Sequence, residues 1–291
     1  GNQLTGLNWG NASLVQWQDG SGAFLQGTLV TPAAWDGATR LPTVVVLADN
    51  GSERVHQFPS MTLSEPLNLA WYASEGYAIL MPDIRYQVGQ PSKATHQSLM
   101  PAIERLVQLG VTDPQKIGLY GHGWGGYQGV QLATLTDAFA AVVAGAPTAN
   151  LTSAYASVQL REGVGRQYQY EQGAGRMSRS LYDAPERYIE NSPVFQAKKI
   201  NTPLLLMTGD QDEVVPWQQG IELYLAMRRL AKPIVMLQYE AEGHQLAHYP
   251  NKVDYALRSK AFLDFTLKGK NAPNWWLNGR AWSTADPLEL D

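Results

Sequence analysis

The chain has 291 residues, of which 44% are hydrophobic, which is enough to bury a large core. Its formal net charge of -4 and pI near 5.8 give no basic surface, so we expect no nucleic-acid partner. The lack of cysteine excludes disulfides, thiol catalysis and thiolate metal sites, and no apolar run approaches the roughly 18 residues of a membrane span.

Two patterns of hydrophobic residues follow each other along the chain. Apolar and polar side chains alternate over Ser13–Asp19 and Ala23–Thr31 around a Gly-rich turn, which predicts an N-terminal antiparallel hairpin. From Thr43 onward, continuous apolar runs typical of strands buried on both faces alternate with helical patterns. The predicted strands are Thr43–Ala48, Tyr77–Asp83, Lys116–Tyr120, Phe139–Ala144, Pro203–Met207 and Pro233–Tyr239, and the predicted helices are Pro66–Gly76, Ala94–Gly110, Tyr127–Thr136, Trp217–Leu230 and Val253–Leu267. This alternation predicts an α/β fold with a doubly wound, mostly parallel sheet.

The interval Pro147–Asn201 interrupts the alternation, because it is rich in Tyr, Arg, Gln and Gly and has no buried-strand pattern. Connections of this length are usually lids, binding loops or small helical inserts. We expect a lid-like insert of about 147–201 that overhangs the site. No repeat or linker divides the chain, so we expect residues 1–291 to form one domain.

The sequence GHGWGGY, Gly121–Tyr127, stands between a predicted strand and a predicted helix. This is the context of the nucleophile elbow G-x-S-x-G of α/β-hydrolases, in which a sharp turn presents a serine above the sheet. The outer glycines match at Gly121 and Gly125, but the position of the nucleophile is Gly123, which has no side chain with which to attack.

Candidates for the other two members of a catalytic triad follow two later strands. Asp212 and His244 come after the strands Pro203–Met207 and Pro233–Tyr239, where open α/β sheets bind ligands and where α/β-hydrolases carry the acid and the base. Asp210 and Glu213 compete with Asp212 as the acid. The other four histidines, His122 among them, have surface or turn explanations, and no histidine spacing predicts a metal site.

Six segments carry a resemblance to a known family. GHGWGGYQ, PDIRY (Pro82–Tyr86), AGAPTANLTSAY (Ala144–Tyr155), YIENSPVF (Tyr188–Phe195) and the Asp212 and His244 loops resemble the catalytic domain of prolyl oligopeptidase-family serine peptidases, in the bacterial dipeptidyl-peptidase-like branch. The resemblance implies an α/β-hydrolase fold with the serine at position 123, the acid at Asp212 and the base at His244. In PDIRY, we expect Asp83 and Arg85 to tie loops together rather than to form an active-site ion pair.

Two features of the family are missing from this chain. The family commonly forms its oxyanion hole from the backbone N–H after the nucleophile, here Trp124, and from a tyrosine hydroxyl expected near Ala48, where no tyrosine stands. The family's catalytic domain also accompanies a β-propeller, for which this chain has no room.

The loss of both the serine and the tyrosine favours natural decay into a pseudo-peptidase that binds peptides or a partner without cleaving them. The alternatives are an active serine peptidase of short peptides in which glycine was introduced at position 123, and an assembly module that uses a Trp-rich tail (Trp275, Trp276 and Trp282). Ser52 is a weaker candidate for a relocated nucleophile, since no second elbow surrounds it.

Aromatic side chains near the elbow and in the insert are the expected walls of a peptide cleft: Trp124, Tyr127, Tyr168 and Tyr170. We predict no cofactor and no metal, since no phosphate loop or dinucleotide fingerprint is present. A peptide or protein ligand is expected, and association into homo-oligomers stays open. The resemblance to exported bacterial peptidases suggests a periplasmic or secreted location, with the cytoplasm as the alternative.

Overall fold

An eight-stranded sheet forms the centre of the molecule, and the computed structural model describes residues 10–48, 51–56, 67–159 and 162–279. Its strands are β1 (Asn11–Gln18), β2 (Phe24–Thr31), β3 (Leu41–Leu47), β4 (Ala78–Pro82), β5 (Thr112–His122), β6 (Ala141–Gly145), β9 (Leu204–Gly209) and β10 (Ile234–Tyr239), while β7 (Val158–Gln159) and β8 (Val164–Gly165) form a separate small hairpin. The strand order is β1-β2-β4-β3-β5-β6-β9-β10. β2 runs antiparallel to β1 and β4, and the other neighbours in the large sheet are parallel. The predicted hairpin and doubly wound sheet are confirmed.

The helices cover both faces of the parallel strands. They are α1 (Leu69–Ser74), α2 (Pro91–Gln108), α3 (Trp124–Leu135), α4 (Leu151–Tyr155), α5 (Gln167–Glu171), α6 (Pro185–Glu190), α7 (Gln218–Arg229), α8 (Tyr249–Lys268) and α9 (Asn274–Asn278), with 3-10 helices at Gly51–His56 and Pro193–Lys199. On one face, α2, α3 and α7 pack on alternate strand residues such as Val45 and Leu206. On the other face, α1 and α8 cover their neighbours, such as Val44 and Leu205. Both sets of strand residues are therefore buried, which explains the continuous apolar runs.

The insert has little regular structure but a core of its own. It comprises α4, the β7–β8 hairpin, α5, α6 and the second 3-10 helix. Side chains of the insert form a third apolar cluster with Tyr127 of α3: Leu151, Ala154, Tyr155, Tyr170, Met177 and Tyr188. Within the cluster, the hydroxyl of Tyr127 donates to the carbonyl of Asn191 at 2.9 Å. The insert is thereby attached to the helix that follows the elbow.

The C-terminal aromatic residues pack back onto the domain. The ring of Trp276 lies 4.7 Å from that of Phe262 on α8, and the Arg258 guanidinium lies 5.4 Å from the ring of Trp275. Trp282 lies outside the described residues. None of the described helices is long and apolar enough to cross a membrane.

Candidate active site

Gly123 occupies the turn between β5 and α3 in a backbone conformation that favours glycine. Its φ is 56° and its ψ is -118°, so a side chain there would cost about 1–3 kcal/mol. Its N–H donates to the carbonyl of Gly145 at 2.8 Å, which holds the turn against β6. A Cβ built on Gly123 would lie 3.0 Å from Nε2 of His244. A side chain at position 123 would therefore point at the imidazole.

The glycines on either side of the turn permit close backbone contacts. A Cβ on Gly125 would overlap the carbonyl oxygen of Leu47, and a Cβ on Gly121 would overlap the backbone of Gly125. These contacts also bring the end of β3, and with it Ala48, beside the elbow. Trp124 is the first residue of α3, so its N–H has no partner within that helix and is available at the turn.

Asp212 and His244 form a hydrogen-bonded pair at the carboxyl ends of β9 and β10. Oδ2 of Asp212 lies 2.8 Å from Nδ1 of His244, and its Oδ1 accepts hydrogen bonds from the N–H groups of Val214 and Val215, each at 2.8 Å. The Asp212 side chain is 1% exposed and that of His244 is 19% exposed. Such a carboxylate orients the imidazole through its Nδ1 atom, which leaves Nε2 directed at position 123.

The structure brings together Gly123, Asp212 and His244, and it pairs the imidazole with Asp212 rather than with either competing acid. Glu213 is exposed, and Asp210 is only partly buried. Neither carboxylate bonds to His244, whose Nδ1 is paired with Asp212. Of the three candidates, Asp212 alone has the geometry of a triad acid.

A second carboxylate, which the sequence analysis missed, holds the loop that carries His244. Glu242 is fully buried and accepts hydrogen bonds from the N–H groups of Ala247 and His248 and from the side chains of His248 and Asn251. Burial raises the pKa of Glu242, but these donors outweigh it and the net pKa is lowered. An acid two residues before the candidate base was the only signal in the sequence.

His122 corrects an expectation from the sequence, since it is neither a surface residue nor a simple turn residue. Its ring centroid lies 4.7 Å from that of His244 in an edge-to-face arrangement, and both of its ring nitrogens are buried. Burial is the main cause that lowers the pKa of His122 from 6.5 to about 4, and the neighbouring His244 lowers it further. His122 is therefore a neutral wall of the site at pH 7.

The buried His122 predicts a pH-dependent stability. Between pH 6.5 and 4 the unfolded chain binds a proton at this residue that the folded chain does not, so stability falls as pH falls through this window. We expect wild type to lose about 2–3 kcal/mol more unfolding free energy between pH 7 and pH 4 than His122→Phe, which does not titrate. Urea unfolding at a series of pH values measures the difference. Parallel pH curves for the two proteins would contradict this role.

The four aromatic residues expected to line a cleft differ in exposure. Tyr168 is 74% exposed, whereas Tyr127 and Tyr170 have no exposed surface and belong to the core of the insert. Trp124 is partly buried and stacks on Tyr127, with ring centroids 4.2 Å apart. Tyr127 and Tyr170 therefore do not present their rings to a bound peptide, because both are fully buried in this cluster.

The remaining candidates lie away from the pair. Ser52 is at the β2–β4 side of the sheet, where its N–H donates to Asp83 at 2.8 Å and its hydroxyl accepts from Gln26. Arg85 contacts Asp19 at 3.7 Å and donates to Ser21 at 2.8 Å. Asp83 and Arg85 thus tie loops together, as expected. Among the described residues, no three His, Asp or Glu side chains converge as a metal site requires.

The elbow, the acid and the base occur in a chain whose residues 63–270 match the prolyl oligopeptidase family. The chain belongs to this family. It is 28% identical over 216 residues to dipeptidyl aminopeptidase BIII of Pseudoxanthomonas mexicana, an alignment that covers 70% of this chain and 31% of that enzyme. It is 24% identical over 282 residues to the acylamino-acid-releasing enzyme of Rattus norvegicus, an alignment that covers 89% of this chain and 37% of that enzyme. The chain thus spans about a third of the length of these family members.

Solved structures show the same fold. A puromycin-hydrolyzing peptidase of Mycobacterium tuberculosis superposes with a TM-score of 0.74 at 21% identity, covering 91% of this chain and 41% of that one. Acylaminoacyl peptidase of Pyrococcus horikoshii superposes with a TM-score of 0.72 at 21% identity, covering 91% and 43%. The described domain is therefore a prolyl oligopeptidase-family peptidase domain with the α/β-hydrolase fold.

Proposed function

We propose that this domain is a pseudo-peptidase: a prolyl oligopeptidase-type domain that lacks its nucleophile and retains a cleft for a peptide or a protein partner. The observation that carries the proposal is the geometry of Gly123. Gly123 lies in the elbow, and a Cβ placed on it would lie 3.0 Å from Nε2 of His244. Glycine has no side-chain atom at this place. An aligned base with no hydroxyl to deprotonate cannot carry out nucleophilic catalysis.

The oxyanion side of the site supports the same conclusion. The backbone N–H of Trp124 supplies one donor, but the end of β3 supplies Ala48, which has no hydroxyl. Loss of one such donor typically costs on the order of 10²–10³ in turnover. Two independent parts of the catalytic apparatus are thus reduced, namely the nucleophile and one donor of the oxyanion hole.

Fluorophosphonate labelling tests the proposal, because these reagents modify an activated serine. We expect no modification of the intact chain under conditions that label a catalytically competent family member to one equivalent. Mass spectrometry of the digested protein would locate any adduct, so a relocated nucleophile such as Ser52 would also be detected. Stoichiometric modification at any serine would overturn the proposal.

A second candidate function is an active serine peptidase of short peptides, whose native residue at position 123 is serine and into which glycine was introduced. The 2.8 Å hydrogen bond between Asp212 and His244 favours it, because the pair retains the alignment that catalysis needs. A Gly123→Ser protein that is folded but inactive would exclude this second candidate, whereas restored turnover is compatible with both. The coding sequence around position 123 separates the two, because it shows whether glycine is the native residue there.

A further inference from the structure

Arg166 is a buried cation that approaches the acid of the site from the insert. The residue is 2% exposed, lies immediately before α5, and its N–H bonds to the carbonyl of Ser157 next to the β7–β8 hairpin. Its Nη1 donates to the carbonyl of Val214 and its Nη2 to the carbonyl of Glu213. None of the ion pairs in the described part of the chain includes Arg166.

The two carbonyls belong to the same peptide groups whose N–H bonds hold Asp212. The Glu213–Val214 peptide accepts from Arg166 at its oxygen and donates to Oδ1 of Asp212 at its nitrogen, at 2.8 Å. The Val214–Val215 peptide does the same. The Arg166 guanidinium therefore bonds the oxygens, and the Asp212 carboxylate the nitrogens, of the same two adjacent peptide groups.

This arrangement explains how the cation is tolerated without an ion pair. A buried charge is costly unless it is compensated, and bonds in series through an amide polarise one another and strengthen each member. The planar guanidinium holds its N–H groups in a fixed fork that reaches both carbonyls, whereas an ammonium group on a flexible stem is less pre-organised for this pair of bonds. The carboxylate of Asp212 lies on the other side of the two peptide groups that accept from Arg166.

We propose that Arg166 is the positioning residue of the Asp212–His244 pair, and that the insert fixes the acid through it. The inference concerns the site of the proposed function but does not depend on the missing nucleophile. The exposed Tyr168, which the sequence analysis expected to line the cleft, stands two residues after Arg166.

The test is the proton of the His244 Nδ1–H to Asp212 hydrogen bond, which proton NMR detects at far downfield shift in the intact chain with Gly123. We expect this resonance to be lost or broadened by exchange in Arg166→Met and weakened in Arg166→Lys, which keeps the charge but lacks the fixed planar fork of the guanidinium. Arg176→Met is the matched control. Arg176 is another arginine of the insert, but it lies over the ring of Tyr86, 3.8 Å from its centroid, so the resonance should persist.

A kinetic readout follows if Gly123→Ser proves active. In that background Arg166→Met should lower kcat on the order of a hundredfold with KM within about threefold, as a displaced acid requires. A folded Arg166→Met protein with an unchanged Nδ1–H resonance would overturn the inference. If Arg166→Met does not fold, Arg166→Lys decides: a weakened resonance supports the inference and an unchanged one overturns it. An inactive Gly123→Ser protein would bear on the second candidate function alone, because the resonance is read without turnover.

Discussion

Gly123→Ser is expected to give a protein that fluorophosphonates label stoichiometrically and that cleaves short peptides at least on the order of a thousandfold faster than the Gly123 protein. The built Cβ lies 3.0 Å from Nε2 of His244, so the added hydroxyl falls within hydrogen-bond reach of the base. Removal of the serine from a complete triad costs about 10⁶ in kcat. We expect a smaller gain here, because the weakened oxyanion hole costs on the order of 10²–10³.

The control for this gain is the double variant Gly123→Ser with His244→Ala, which should remain unlabelled and inactive. Peptide cleavage by the single variant that persists in the double variant would come from another nucleophile. A folded Gly123→Ser protein that neither reacts with fluorophosphonate nor cleaves peptides would contradict the alignment of His244. The binding role of the cleft would then be the only function that the site supports.

The same serine should reduce stability, because the turn is adapted to glycine. The φ of 56° implies a cost of about 1–3 kcal/mol, and the 3.0 Å contact requires His244 to shift. Gly22→Ala separates the two causes, since Gly22 has a φ of 83° and no atom within 4 Å of a built Cβ. Urea unfolding should show a larger loss for Gly123→Ser than for Gly22→Ala.

The parallel strands were predictable because burial on both faces requires continuous apolar runs. The first residues of the helices were less predictable, because they depend on local packing. The predicted helix Tyr127–Thr136 in fact begins at Trp124, since Gly125 and Gly126 allow close contact with β3 and β6 instead of ending the helix. α2 begins at Pro91, three residues earlier than predicted, because proline is tolerated in the first helical turn. The strand order depends on crossovers that periodicity does not encode.

The sequence predicts those site residues that follow the ends of successive strands, and it does not predict those that reach the site only through the packing of the fold. Asp212 and His244 follow successive strands, so a sequence rule places them at one edge of the sheet. His122, Glu242 and Arg166 have no such rule. Their places are visible only in the folded structure. His122 packs beside His244, Glu242 holds the loop that carries His244, and Arg166 bonds the peptide groups that hold Asp212. Tyr127 shows the converse, since proximity to the elbow in sequence did not place its ring in the cleft.

Asp264→Ala is expected to lower the free energy of unfolding by about 3 kcal/mol, because Asp264 is the partner of a buried lysine. Its carboxylate accepts from Lys260 at 2.7 Å, from the hydroxyl of Tyr77 at 2.7 Å and from Lys270 at 2.7 Å. Lys260 is 5% exposed and lies within 5.4–5.7 Å of three aromatic ring centroids, those of Trp71, Tyr72 and Tyr77. Removal of Asp264 leaves this ammonium buried, and among the described residues the one carboxylate that still pairs with it is the more exposed Glu75, at 3.8 Å. Breaking a buried pair typically costs about 3–5 kcal/mol, and Glu75 places the expectation at the lower end.

Two further variants distinguish a broken buried pair from a general loss of packing. Lys270→Met removes the exposed partner of the same carboxylate and should cost less than about 1 kcal/mol. The double variant Lys260→Met with Asp264→Leu removes both buried charges and should recover most of the loss, since an apolar pair of similar size is often neutral. A double variant less stable than Asp264→Ala would show that the pair itself stabilises the contact between α8 and α1.

The pH dependence of the same comparison supplies an independent check. Burial raises the pKa of Asp264, but its hydrogen bonds with Lys260, Lys270 and Tyr77 outweigh it and the net pKa falls below 3.8. A carboxylate with a lowered folded-state pKa stabilises the fold above its unfolded pKa and loses that contribution as pH falls. The difference in unfolding free energy between wild type and Asp264→Ala should therefore be constant near neutral pH and should narrow below about pH 4. A difference that does not change with pH would mean that Asp264 acts through its shape rather than its charge.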